Sequence, residues 1–349
     1  MQAFHACHAT LQRFTLFLLF LLSCLALGGC ASTLSPADQR NVAGKTYVIT
    51  GASSGFGRGV ALKLAAMKAN VVLAARRTEV LEQVASQARA AGGTALVVAT
   101  DVANPQDVQR LADAALRRFG RIDVWINNAA VGAIGPFDTV PMADHARVVD
   151  VNVKGVIYGS HIALQQFRKQ RAGVLINVGS VESEIPLAYH TSYSATKAAV
   201  LALGRALNEE LRLAGLRGPI EVATVMPWAT DTPFFDHAAN YTGRTTRMPL
   251  MDPAGKVVDY IVYTSVYPRE EVPTGWKARG AIWSHRLTPD LAERIAANVA
   301  HKAQMEQAPP GVAPTSGSLH APMQAGTGVD GGVRARMERE DAQRKAQER

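Results

Sequence analysis

Residues 45–67 read KTYVITGASSGFGRGVALKLAAM, and the change of period inside this stretch decides the fold. Up to Thr50 it is a short, mostly apolar run of strand type; glycines follow at 51, 55 and 57; from Val60 to Met67 apolar residues return at helical spacing. Strand, tight turn and helix together make a phosphate cradle. A helix N-terminus carries unpaired N–H groups, and only glycine leaves them bare enough for a phosphate pair to approach. The spacing Gly51-x-x-x-Gly55-x-Gly57 is not the common Gly-x-Gly-x-x-Gly fingerprint, so a plain glycine turn is the competing reading.

Outward from this unit, strand-like apolar runs recur at Tyr47, Val71, Leu96, Val124, Leu175 and Val222, with amphipathic stretches between them. Such alternation predicts an α/β fold, a doubly wound parallel sheet of Rossmann-like type in a single domain. The runs are almost continuously apolar, as parallel strands covered on both faces require. The chain has 349 residues, which by length alone would admit two domains, yet both ends read as additions to a core at 44–306. The second strand, NVVLAA at 70–75, should end beside an adenosine ribose. An acidic residue there would bind the 2'-hydroxyl and repel a 2'-phosphate. Uncharged Ala75 is followed instead by Arg76 and Arg77, whose guanidinium forks suit a phosphate, so NADP(H) is favoured over NAD(H). The competing reading is a basic pair on a solvated helix.

TGASSGFG at 50–57, Asp101-Val102, Asn127-Asn128-Ala129, Asn152 in VNVKG, Ser180 in INVGS, and Tyr193 with Lys197 in SYSATK follow one another in order. On these motifs the chain resembles the short-chain dehydrogenase/reductase family from about Gly44 to Thr232. The resemblance implies that Asn152, Ser180, Tyr193 and Lys197 are catalytic. It also implies a dinucleotide held by Gly51, Ser53, Ser54, Gly55, Phe56, Gly57, Asp101, Val102, Asn128, Ala129, Thr230 and Thr232, with Tyr193 and Lys197 near the nicotinamide end. Ala130 stands where the family has glycine, a departure that costs something only if the position needs positive φ. Homodimers or homotetramers are implied as well.

The chemistry follows from what a carbonyl needs when a hydride arrives: a polarised oxygen, a proton for the nascent alkoxide and a fixed distance to the donor. Tyr193 would supply the proton. A phenol titrates near pKa ~10, so it needs a nearby cation to be useful at neutral pH, and Lys197, one turn on, would be that cation. Ser180 would hold the substrate oxygen, and Asn152 would orient a water relaying protons from Lys197. The alternative from another class is a non-catalytic dinucleotide-binding redox sensor at a membrane. Such a sensor has no use for Ser180, Tyr193 and Lys197 together.

Substrate choice is expected to rest on a loop at about 227–253. Trp228 either lines the pocket or packs at the base of that loop. Glu182 and Glu184 could meet a polar substrate, although loop carboxylates are usually solvated. His190 reads as a loop or cap residue.

The two ends carry separate signals. Residues 1–30 resemble a signal peptide or membrane anchor: Arg13 precedes FTLFLLFLLSCLAL at 14–27, and Leu27-Gly28-Gly29-Cys30 resembles a bacterial lipobox. Cys7, Cys24 and Cys30 are the only cysteines, so nothing after position 30 can form a disulfide or act as a thiol nucleophile. Membrane association is therefore expected, on the cytoplasmic face where reduced cofactor is supplied, with export as the other possibility. Residues 31–43 read as a linker. Residues 307–349 read as a disordered tail, because 308–332 is rich in Pro, Gly, Ser and Thr and a mixed-charge run follows. The net charge of +8 is scattered rather than clustered, so nucleic-acid binding is not expected, nor is a metal.

Overall fold

A computed structural model describes residues 33–347. The signal-like segment, with Cys30, lies outside these residues; among the described ones no helix is long and apolar enough to cross a membrane.

Seven strands form one parallel sheet: β1 (Thr46–Thr50), β2 (Asn70–Ala75), β3 (Thr94–Ala99), β4 (Val124–Asn127), β5 (Gly173–Val178), β6 (Ile220–Met226) and β7 (Glu271–Pro273). Their spatial order is β7-β6-β5-β4-β1-β2-β3, so the sheet winds outward in both directions from β1 and β4. That pair, in register with Tyr47 opposite Val124, is the switch point, and a doubly wound sheet opens a crevice at the carboxyl ends of the strands flanking it. The crossovers include α2 (Gly55–Ala66), α3 (Thr78–Ala90), α4 (Pro105–Phe119), α5 (Met142–Val149), α6 (Gly155–Gln170) and α7 (Thr191–Leu213). Local chemistry sets their ends. Asn104 caps α4 by accepting from the N–H groups of Gln106 and Asp107, Pro105 fits the first turn, and Gly120 closes the helix at φ 76°.

Both faces of the sheet are covered, and residues alternate between two cores. Tyr47 and Ile49 join Leu64, Leu81 and Ile261 on one face; Val48 joins Trp125, Leu111 and Phe167 on the other. Burying each such large side chain contributes about 1.5–3 kcal/mol. A polar seam crosses this core. Asn127 Nδ2 donates to Asn177 Oδ1 at 2.9 Å and to Ser160 Oγ at 3.1 Å, while Asn127 Oδ1 accepts from Trp125 Nε1 at 2.8 Å. It fixes the relative height of β4, β5 and α6.

The segment after β6 holds α8 (Ala254–Thr264), α9 (Gly275–Leu287) and α10 (Pro289–His301). Its loop is tied at both ends, because Thr230–Asp231 pairs in parallel with Asp252–Pro253. The strand β7 was not expected from sequence. It has three residues and ends in proline, which is tolerated at a sheet edge.

The two flanks of the core differ from the sequence expectation. The expected linker at 31–43 contains α1 (Pro36–Val42), started by a reciprocal cap between Ser35 and Asp38 and anchored by fully buried Val42. The expected disordered tail is a folded strap, residues 308–332, followed by α11 (Val333–Gln347). Composition misled because the strap does not build its own core; it borrows one. Leu319 and Val333 are buried in the domain, at 0% and 1% exposure. Its glycines permit close backbone approach: a Cβ on Gly331 would lie 2.4 Å from the backbone carbonyl of Thr232. The mixed charges of α11 are partly neutralised from below, where buried Arg247 donates to Glu340 at 2.9 Å and to Asp341 at 2.7 Å.

Candidate active site

The crevice at the switch point is a cavity of about 540 Å³. Its walls include every catalytic residue expected from the sequence except Asn152, and every expected cofactor residue except Gly57.

The cradle end is built by the turn after β1. Thr50 Oγ1 accepts from the N–H groups of Asn128 and Ala129, and Asn128 Nδ2 donates back to the Thr50 carbonyl at 2.9 Å, so the ends of β1 and β4 are laced together. Gly51 sits at φ +68°, where a Cβ would lie 2.8 Å from Ala129 Cα. Gly57 works behind the cavity. A Cβ there would meet the Gly51 carbonyl oxygen at 2.3 Å, so its bareness lets α2 dock on the turn. Ala130 is not among the positive-φ residues, and its departure from glycine strains nothing.

Arg76 and Arg77 leave the end of β2 and both line the cavity. Burial holds both guanidiniums below their ordinary pKa; at Arg76 the Asp101 charge opposes this and Arg147 adds to it, and Arg77 is further lowered by Arg76 and Arg58. This is a partly desolvated cluster of positive charge, and an anion placed there would relieve it. Asp101 points its carboxylate at Arg147, 2.5 Å away, and its Oδ1 accepts from the Ala103 N–H, so it shapes the pocket edge and pairs with neither Arg76 nor Arg77.

The chemical end is carried by β5 and α7. Ser180 follows β5 and accepts from Glu182 N at 3.1 Å. Tyr193 and Lys197 are one turn apart on α7, with Lys197 Nζ 5.5 Å from the Tyr193 ring centroid. Lys197 is 3% exposed, and its ammonium donates to the Val178 carbonyl at 2.7 Å. Burial lowers its pKa to about 8, opposed by the charge of Glu182. Tyr193 is shifted the other way: burial pushes its phenol up, the Glu182 charge adds to that, and a hydrogen bond with Ser180 counters it.

Asn152 stands apart. It occupies a π turn, Asp150–Lys154, between α5 and α6, and its amide is 1% exposed. Its Oδ1 accepts from Val131 N, and its Nδ2 donates to the Val131 carbonyl and to Thr196 Oγ1 at 3.1 Å. The side chain ties the loop after β4 to α7 and is not part of the cavity wall.

Sequence reasoning undervalued Glu182. It is no solvated loop carboxylate: it accepts from Ser194 Oγ at 2.6 Å and sits 3.2 Å from His190 Nδ1, locking the start of α7. Its position two residues after Ser180, with Ser194 beside Tyr193, was the available signal. Glu184 is taken by Arg205 and Arg286, at 2.7 and 2.6 Å, so it meets no substrate. His190 precedes α7 as expected and also lines the cavity. Trp228 does both things expected of it, lining the cavity and donating from Nε1 to the Leu250 carbonyl at 3.0 Å. Phe234 comes from the expected loop at 227–253, but the aliphatic wall from Ile295 and Val299 was not foreseen, because it comes from a helix remote in sequence.

Lys197 makes stability depend on pH. Its folded pKa, about 8, lies below the unfolded value of 10.5, so between these values the unfolded chain binds more protons and stability rises with pH. The penalty of the buried ammonium is fully present below about pH 8 and gone above about 10.5. Urea unfolding at pH 8, 9 and 10 should show this rise in the wild type and its loss in Lys197→Met.

Residues 45–241 match the family model described as short chain dehydrogenase. The uncharacterized oxidoreductase YxnA of Bacillus subtilis is 31% identical over 268 residues, covering 76% of this chain and 75% of that protein. The 3beta-hydroxysteroid dehydrogenase 1 of Eggerthella lenta is 38% identical over 194 residues, 54% of this chain and 72% of that one. Among solved structures, a short chain dehydrogenase/reductase from Burkholderia phymatum in complex with NAD superimposes with a TM-score of 0.64 at 29% identity, covering 72% of this chain and 95% of its own.

Proposed function

The chain belongs to the short-chain dehydrogenases and is an oxidoreductase of that family, and from this premise we propose that it is NADP-dependent and interconverts an apolar ketone with its secondary alcohol. The observation that carries the reading is the single cavity joining a cationic cradle at Arg76 and Arg77 to Ser180, Tyr193 and Lys197. The donor set fits a dinucleotide: a glycine-bared helix N-terminus for the pyrophosphate and a crowded guanidinium pair for an added phosphate. NADP(H), when bound, supplies or accepts the hydride.

The rest falls to the protein. Ser180 and Tyr193 hold the carbonyl oxygen between two hydroxyls, and Tyr193 passes its proton to that oxygen as charge grows there. In the cavity the phenol is held too basic to ionise, which suits a proton donor for carbonyl reduction. Lys197, still largely protonated at neutral pH, favours the phenolate left behind. Glu182 and Asn152 act on geometry, the first through Ser194 and His190, the second through Thr196.

Apolar chemistry at the mouth supports the substrate class. Leu250, Ile295 and Val299 are 70%, 55% and 46% exposed there, next to Phe234 and Trp228. An apolar substrate would cover them, each buried CH₂ contributing about 0.8 kcal/mol. The hydroxysteroid activity in the name of the Eggerthella lenta relative agrees with a bulky apolar ligand.

The test is a fluorescence titration with NADPH and NADH, followed by turnover on a panel running from small polar to bulky apolar ketones. NADPH should bind more tightly, and kcat/KM should climb with apolar surface. Arg77→Ala should cut the NADPH-over-NADH preference about 10- to 100-fold, since one charge-assisted contact is worth about 1.5–3 kcal/mol. Equal affinities in the wild type would remove the NADP assignment, and a flat panel would remove the apolar one.

A further inference from the structure

The donors that should hold the cofactor's phosphates are already engaged by the chain's own strap. Gly55 N, at the bare start of α2, donates to the Gly328 carbonyl at 2.9 Å, and Arg58 donates to the Thr327 carbonyl at 2.6 Å. Arg76 donates to the backbone carbonyls of Ser318, Leu319 and His320. Arg77 donates to those of Met323 and Ala325 at 3.0 and 3.1 Å, and its Nε and Nη2 donate to Ser53 and Ser54. A guanidinium has five N–H donors, so Arg77 has none left for a phosphate.

On this count we propose that residues 318–328 are an internal competitor for the cofactor's phosphate sites, and that NADP(H) enters by displacing them. The inference rests on the reading of the crevice as a dinucleotide site. The physical asymmetry is clear. Backbone carbonyls present acceptor oxygens to these donors as phosphates do, but they are neutral, whereas a phosphate adds its own charge and offers each guanidinium two parallel N–H···O bonds. The carbonyls have the advantage of being tethered. The strap is pinned on both sides of the contested stretch, by Thr315, which exchanges backbone hydrogen bonds with Asn240, and by Asp231, whose carboxylate accepts from the N–H groups of Val333 and Arg334, while buried Leu319 holds the stretch itself down. It can therefore lift over 318–328 while its far end stays attached. The apparent affinity is the intrinsic one reduced by the fraction of molecules with the strap lifted.

The two halves of the strap face different phosphates. Thr327 and Gly328 sit at the helix N-terminus that a pyrophosphate needs, whereas Ser318 to Ala325 sit on the arginine pair that only a 2'-phosphate needs. NADPH should release both halves; NADH should release only the first.

The test is hydrogen exchange of the wild-type chain, free and saturated with NADPH or NADH, read over 318–332, together with Kd values from fluorescence for the wild type and Leu319→Ala. Leu319 is fully buried yet its side chain is no part of the crevice wall, so its truncation loosens the strap from outside the catalytic and cofactor-binding residues. Faster exchange at 318–328 with NADPH, and a Kd at least about tenfold lower in Leu319→Ala, are the expected results. Slower exchange on binding would show the strap to be a wall of the site and overturn the proposal, as would an unchanged or raised Kd. The exchange result needs no variant, so it decides even if Leu319→Ala fails to fold. Binding of neither cofactor by either protein would overturn the dinucleotide reading and this proposal together; binding with slowed exchange would overturn this proposal alone.

Discussion

Tyr193→Phe is expected to lower kcat by about 10²- to 10⁴-fold while leaving the Kd for NADPH within a few-fold of wild type. The substitution removes one oxygen and nothing else of the ring that packs on Phe234 with centroids 5.2 Å apart. It deletes the proposed proton donor and leaves Ser180 as the remaining hydroxyl at the proposed site of the substrate oxygen. The split between kcat and Kd is what separates a chemical role from a structural one: a packing defect would weaken cofactor binding and lower the unfolding midpoint as well. Retained turnover would assign the proton to another group, and His190 would be the first to examine, since it lines the same cavity 6.3 Å from the Tyr193 ring.

The second large effect is on the fold itself. Gly51→Ala should cost more than ~4 kcal/mol, the range reserved for a named structural failure, because strain and collision coincide there. Position 51 has φ +68°, and an added Cβ would stand 2.8 Å from Ala129 Cα and 2.9 Å from Asn128 Nδ2, so it would push β1 and β4 apart at the switch point. Gly92→Ala is the control. Its φ is +97° but nothing lies within 4 Å, so it should show the backbone cost alone, ~1–2 kcal/mol. Urea unfolding of the pair measures the difference. Similar losses in both variants would mean that the turn yields and that β1 and β4 are not rigidly laced.

How far the sequence could be read depended on the range of the interaction involved. The turn at 51–57, the six main strands and the Tyr193–Lys197 pair were legible because their signals are local: period, glycine spacing and one helical turn. Seven-residue α1 at 36–42 and three-residue β7 were not, since each is too short to show a period; α1 is held by Tyr267, which donates to Asp38, and β7 by its pairing with β6. The strap is the clearest failure. Its composition says that it cannot order itself, which is sound physics for an isolated segment, but Arg76 is 242 residues from the Ser318 carbonyl it binds, and no window of sequence spans that distance. Glu182 failed differently. Its burial by Ser194 and His190 depends on how the turn after β5 meets α7, so a carboxylate that looked solvated adds its charge to the burial that raises the Tyr193 pKa.

The central claim is that one cavity joins a phosphate cradle to a tyrosine that protonates a carbonyl while a hydride arrives. It is tested most directly by a single turnover with NADPH deuterated at the transferable position and a bulky apolar ketone, the product being weighed by mass spectrometry. The account predicts one deuterium on the carbinol carbon of the wild-type product and none above background with Tyr193→Phe on the same timescale. Saturable NADPH binding with no label transferred to any ketone of the panel would contradict it and leave the chain as a binding module.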